Sequence, residues 1–192
     1  MKKLSLIITF LIFVGICFSQ KDSSSLLETI KKTKDVGLIV HEERIGKEFP
    51  VSSFKTIDKE LLSAAELRGK VIFINFWYKG CSPCMAEMKG LNHLYEKYNS
   101  ENTVFIMITY ENPNTIREVS KEYGLKYKMV SVPIEEISSW DVIFGYPSSF
   151  ILDREGKIVY GRSGGKTEIE EATKAVLTYY GPVIESQVGI QK

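Results

Sequence analysis

Val71-Ile72-Phe73-Ile74-Asn75-Phe76-Trp77 leads through Tyr78-Lys79-Gly80 into Cys81-Ser82-Pro83-Cys84, and Met85 to Tyr98 leads out. Six of the first seven residues are apolar, with β-branched and aromatic side chains, the composition of a strand covered on both faces. The segment that follows has helical patterning, with Pro83 in its first turn, where a missing N–H is harmless. Two cysteines separated by two residues therefore stand at a strand-to-helix junction. The partial positive charge at a helix N-terminus favours a thiolate on the first of them. A second thiol one turn further on is placed to close a disulfide with it.

Outward from this junction the chain alternates. Ile45 to Ile57 suggests short strands, and Leu61 to Leu67 a small helix closed by Gly69. Thr103 to Tyr110 is a second buried strand, and Asn112-Pro113-Asn114 caps a helix that runs to Tyr123 and stops at Gly124. Met129 to Val132 suggests a short strand, and Trp140 to Phe144 one helical turn before Gly145. Ser148 to Asp153 and Lys157 to Tyr160 form a hairpin around Asp153-Arg154-Glu155-Gly156. Gly161 to Gly165 reads as a turn, Thr167 to Tyr180 as a helix, and residues 181–192 as a loosely ordered tail. The order β-α-β-α-β-β-α predicts an α/β sandwich of three layers: a central mixed sheet with helices on both faces, over residues 45–180.

The 192 residues suffice for one domain with a real core. A net charge of +1, with no concentrated basic run, argues against a nucleic-acid partner. Lys2 and Lys3 precede an apolar stretch from Leu4 to Phe18, and polar sequence begins at Gln20, so residues 1–19 read as a secretory signal. The stretch is shorter than the roughly 20 residues that span a bilayer. An uncleaved membrane anchor and lipid attachment at Cys17 are the alternatives, the latter disfavoured by the bulky Ile16. Residues 20–44, polar and rich in Lys and Glu, read as a tether or peripheral helix, with His41 among them.

Loss of Lys2 and Lys3 with the signal takes the net charge from +1 to −1, and loss of Cys17 leaves Cys81 and Cys84 as the sole cysteines. So small a loop barely constrains an unfolded chain, and the pair is therefore present for chemistry. The chain is expected to be a monomer.

These motifs resemble those of thioredoxin-fold proteins, and more narrowly the TlpA/ResA-like exported thiol–disulfide oxidoreductases. The resemblance covers about residues 45 to 180 and rests on Asn75-Phe76-Trp77 before Cys-x-Pro-Cys, on Glu87, and on Tyr146-Pro147-Ser148-Ser149-Phe150-Ile151-Leu152-Asp153. It implies that Cys81 is the exposed nucleophile, helped by Lys79, and that Cys84 is the shielded resolving thiol. It implies a cis Pro147 facing the pair, with Tyr146, Pro147 and Trp77 binding substrate. Asn75 stands where thioredoxin carries a buried Asp and cannot titrate, so Glu87 becomes the proton acceptor, with a solvated helix residue as the alternative. The implied partners are protein disulfide substrates, apocytochromes or other envelope proteins among them, and a membrane thiol-electron donor. No cofactor is implied. The family usually has Trp before the first cysteine and Pro two residues after the glutamate; here Gly80 and Lys89 stand in those places.

Rival readings use the same residues. A zinc site needs two ligands beyond the cysteine pair, and His41 and His93 offer no ligand spacing, so no metal is expected. A thiol peroxidase on this fold needs Thr three residues before its cysteine, where this chain has Tyr78. A binding or chaperone module needs neither cysteine.

Overall fold

A computed structural model describes residues 39–189; the expected signal segment and the tether up to residue 38 lie outside the described residues. The strands are β1 (Ile39–Val40), β2 (Phe54–Lys55), β3 (Leu61–Leu62), β4 (Val71–Phe76), β5 (Thr103–Thr109), β6 (Lys128–Ser131), β7 (Ser148–Leu152) and β8 (Ile158–Ser163). The helices are α1 (Ala64–Leu67), α2 (Ser82–Tyr98), α3 (Pro113–Tyr123), α4 (Ile134–Ser139) and α5 (Ile169–Val188). None among the described residues is long and apolar enough to cross a membrane.

Six strands make one sheet in the order β1-β8-β7-β4-β5-β6. β4, β5 and β6 are parallel neighbours, whereas β7 runs antiparallel to β4 and β8, and β1 antiparallel to β8. Parallel neighbours need crossovers, and right-handed crossovers stepping in one direction put α2 and α3 on the same face. Every β4 side chain is buried, and alternate ones serve two cores. Val71, Phe73 and Trp77 join the core under α2, α3 and α5. Ile72, Ile74 and Phe76 join the core under β2, β3, α1 and α4. The predicted mixed sheet with helices on both faces is the architecture observed.

Local departures have local causes. Leu61 to Leu67 is not one helix, because Leu61 and Leu62 pair with β2. The helix starts only after Ser63, whose side chain and that of Glu66 cap each other's backbone N–H. The turn expected at Trp140 to Phe144 lies earlier, at α4, after Pro133 and with Glu135 and Glu136 in its first turn. The helix expected to end at Tyr180 runs on through Gly181-Pro182 to Val188, so residues 181–188 are helix and not a loose tail. A proline removes one backbone hydrogen bond, while Val183 and Ile184 remain buried in the core around Phe73. β8 continues past Tyr160 to Ser163.

The domain also begins before Ile45. β1 pairs with the β8 edge, and His41, expected on a tether, is fully buried. Its N–H donates to Gly161 O at 2.9 Å, its Nε2 lies 2.8 Å from Ser163 Oγ, and its ring stacks on Phe144. Burial, reinforced by Arg44 and opposed by Glu43, holds this imidazole below its ordinary pKa of 6.5. The unfolded chain therefore takes a proton that the folded one refuses. Stability is complete above about pH 6.5 and declines as the pH falls toward the folded value. Thermal unfolding against pH should show that acid slope in the parent protein and a shallower one in His41→Gln.

Candidate active site

The chain leaves β4 at Phe76 and turns through Trp77 to Gly80 into α2, whose N-cap is Cys81. Cys81 N–H donates to Tyr78 O at 3.1 Å, and Cys84 N–H donates to Cys81 Sγ at 3.2 Å. A first-turn amide thus points at the first sulfur, the arrangement that favours a thiolate. Cys81 and Cys84 are joined as a disulfide, with Cα atoms 5.2 Å apart. Cys81 is not the exposed sulfur the resemblance implied: it is only 4% exposed, against 1% for Cys84. It belongs to the apolar cluster that contains Cys84 and Trp77, with Tyr78 and Tyr146 packed against it. Lys79, expected to help the sulfur, is engaged with an acid on another helix. Its Nζ donates to Glu118 Oε2 at 2.9 Å, and that carboxylate holds the ammonium above its ordinary pKa.

The Tyr146–Pro147 peptide is cis, as the resemblance implied. Ser148 pairs with Phe76, so Pro147 stands beside the segment that leads to Cys81. Gly164 N–H donates to Pro147 O at 2.8 Å, and Gly164 adopts φ of +90°, in the left-handed region. A Cβ on Gly165 would lie 3.0 Å from Pro147 Cγ and 3.2 Å from Glu87 Oε1. The two glycines therefore let the exit from β8 press on Pro147 and Glu87 together.

The half-buried Tyr146 meets the Tyr78 ring edge-on at 5.2 Å and the Tyr110 ring at 6.1 Å, while Tyr78 and Tyr110 stack at 5.6 Å. Burial, with Tyr110 and Tyr78 adding, pushes the Tyr146 hydroxyl up to about 12. Trp77 is fully buried and cannot meet a substrate, which corrects its expected role. Strand alternation continued past Phe76 turns it into the core under α2. The aromatic rim belongs instead to Tyr78 and Tyr110, each placed just after the end of a parallel strand.

Glu87 is 3% exposed, a buried acid and not a solvated helix residue. Its Oε2 has no hydrogen-bond partner among the described residues. Burial pushes the carboxyl up to about 8, against the opposing pull of the Arg162 guanidinium and of a hydrogen bond from Asn75. Asn75 Nδ2 also donates to Ser149 Oγ at 3.0 Å. Arg162, 4% exposed, lies over the Tyr179 ring at 3.6 Å. Glu87 and Asn75 stand out in the sequence. Arg162 and Ser149 do not, because nothing local marks them as inward-facing.

A mixed sheet of this order, with a cysteine pair capping a helix beside a cis-proline, defines a thioredoxin-fold thiol–disulfide oxidoreductase of the ResA/TlpA-like kind. The AhpC/TSA family model matches residues 45–161, and the chain belongs to that family. It is 29% identical over 145 residues to the thiol-disulfide oxidoreductase ResA of Bacillus thuringiensis subsp. konkukian (strain 97-27), covering 73% of this chain and 84% of that one. Thioredoxin-like protein YneN of Bacillus subtilis (strain 168) is 26% identical over 154 residues, covering 78% and 86%. A thiol:disulfide interchange protein of the thioredoxin family from Chlorobium tepidum TLS has the same fold. It superposes with a TM-score of 0.58 at 22% identity, covering 74% of this chain and 98% of that one.

Proposed function

We propose that the chain is an exported reductant of protein disulfides, with Cys81 as nucleophile, Cys84 as resolving thiol and Glu87 as proton acceptor. The observation that carries this reading is the buried Glu87 one turn beyond Cys84, on a helix whose first-turn Cys84 amide already points at Cys81 Sγ. A dithiol donor at the membrane reduces the Cys81–Cys84 disulfide and becomes a disulfide itself. Cys81 thiolate then attacks one sulfur of the target disulfide, breaking that S–S bond and releasing the other target sulfur as a thiolate. Cys84 gives its proton to the Glu87 carboxylate and attacks Cys81 Sγ. The mixed disulfide breaks, Cys81–Cys84 re-forms, and the second target thiolate leaves. Export is supported by the signal-like residues 1–19. The rim of Tyr146, Tyr78 and Tyr110 forms the surface on which the target chain lies, with the buried Pro147 holding Tyr146 in place.

Thioredoxin-fold potentials run from about −270 mV to about −120 mV. Equilibration of the pair with glutathione should give a value in the reducing half of that range. A value near −120 mV would reverse the direction of electron flow.

Glu87 has its own signature in the oxidised protein. Its pKa is raised from 4.5 to about 8, so the folded state keeps a proton that the unfolded chain releases. Its contribution to stability is fully present below about pH 4.5 and is lost as the pH rises to about 8. Glu87→Gln should abolish that decline and be more stable than the parent at alkaline pH, and it should also move the thiol titrations of the reduced form. Identical unfolding curves and unmoved thiols would remove Glu87 from the mechanism.

A further inference from the structure

One row of polar side chains crosses the sheet beneath α2 and α5. The register pairs Asn75 on β4 with Ser149 on β7, and Ser149 with Arg162 on β8. All three are buried, on a face otherwise made of Val71, Phe73, Ile151 and Tyr160. Stability alone gives no reason for the arginine. Burying a guanidinium is costly, and a hydrocarbon side chain of similar volume is often as stable or more so.

The groups around Glu87 suggest what the charge does. From α5, Tyr179 seats the guanidinium face-on, and the buried Tyr180 also senses the Glu87 charge. Tyr160 stands two residues before Arg162 on the same strand, and Asn75 on β4 hydrogen-bonds the carboxyl. Tyr127, in the segment before β6, is a further buried hydroxyl that senses Glu87. On α2 itself stands Cys84, one turn away. Tyr127, Tyr160 and Tyr180 are all held above the ordinary tyrosine range by burial and are neutral near pH 7. Among these groups Glu87 is the carboxylic acid and Arg162 the cation. A proton acceptor must be empty when its turn comes, and a carboxyl sealed among aromatic rings keeps its proton.

We propose that Arg162 is a positioning residue for proton transfer: its guanidinium, seated over Tyr179, stabilises the Glu87 carboxylate that receives the Cys84 proton. This rests on Glu87 being that acceptor. Arg162 acts through Glu87 and touches neither sulfur nor target.

The test follows the resolution step. A small aromatic thiol is loaded on Cys81 as a mixed disulfide, and its release by Cys84 is timed against pH. In Arg162→Leu and Arg162→Gln the midpoint of that profile should rise by about 1–3 units, the shift a nearby opposite charge imposes on a carboxyl. Arg162→Lys, which keeps the charge, should stay near the parent. Both neutral variants should fold at neutral pH and below, because a protonated Glu87 leaves no unpaired charge in the core. In a Glu87→Gln background, adding Arg162→Leu should move the profile no further, whereas a merely structural arginine would still alter it. A folded Arg162→Leu with the parent's midpoint, beside a Glu87→Gln whose profile is changed, would overturn the role of Arg162 and leave that of Glu87 standing. So would an Arg162→Lys displaced as far as the Leu variant. A Glu87→Gln profile identical to the parent's would overturn both.

Discussion

Cys81→Ser should reduce insulin disulfides no faster than buffer containing the electron donor alone. The loss is complete because the other thiol in the site, Cys84, is only 1% exposed and does not reach a target disulfide. Cys81 caps α2, receives the Cys84 amide at 3.2 Å and lies nearer the surface than Cys84. Cys84→Ser should behave differently. It keeps the nucleophile and the helix end but lacks the sulfur that releases the target, so protein–target mixed disulfides should accumulate and appear as a mass increase on non-reducing gels. The two variants together read the order of attack. Parent-like turnover by Cys81→Ser would end the mechanism, and trapping by Cys81→Ser in place of Cys84→Ser would exchange the roles.

Gly90→Val should cost about 3 kcal/mol of stability, at the upper end of ordinary overpacking, and lower the melting temperature by about 10 °C. α2 and α5 cross at this glycine so closely that an added Cβ would lie 2.8 Å from Thr173 Cα and 3.0 Å from Val176 Cβ. The first of these is backbone, so no rotamer change relieves it, and the helices must part. α2 carries Cys81, Cys84 and Glu87, whereas α5 carries Tyr179 beneath Arg162. Separation should therefore weaken the site as well as the fold. Urea unfolding measures the first effect and insulin reduction the second. A variant within about 0.5 kcal/mol of the parent would mean that the crossing accommodates a side chain at no real cost.

Much of this architecture is legible in the chain because strong local signals coincide with tertiary demands. Val71 to Phe76 is apolar at every position but Asn75 because both faces of β4 are covered. Asn112-Pro113 caps α3 through the Asn112 Oδ1, which accepts from the Asn114 and Thr115 amides, and Gly124 ends it in the left-handed region. Where burial overrides local chemistry, the sequence misleads. The helix expected to end at Tyr180 is carried onward by packing of Val183 and Ile184. His41 looks like part of a polar tether, yet it meets Ser163, more than a hundred residues away. The site divides in the same way. Cys81, Cys84, Glu87 and Pro147 carry motif signals, whereas Arg162 and the Tyr78–Tyr110 pair acquire meaning only when β8 lies beside β7 and the ends of β4 and β5 come together.

β6 closes one side of the sheet, and it is only four residues long. Lys128 at its start is held by Glu60 at 2.7 Å, and Ile57 N–H already donates to Met129 O. Short strands, lysines and covering segments keep an open edge from recruiting foreign backbone. A protein that exchanges disulfides with other proteins brings foreign backbone close to its own sheet. With the β6 margin occupied, such a client gains nothing by zippering onto that flank. Contact with a partner is then left to the cysteine end of the sheet, where the sulfurs are.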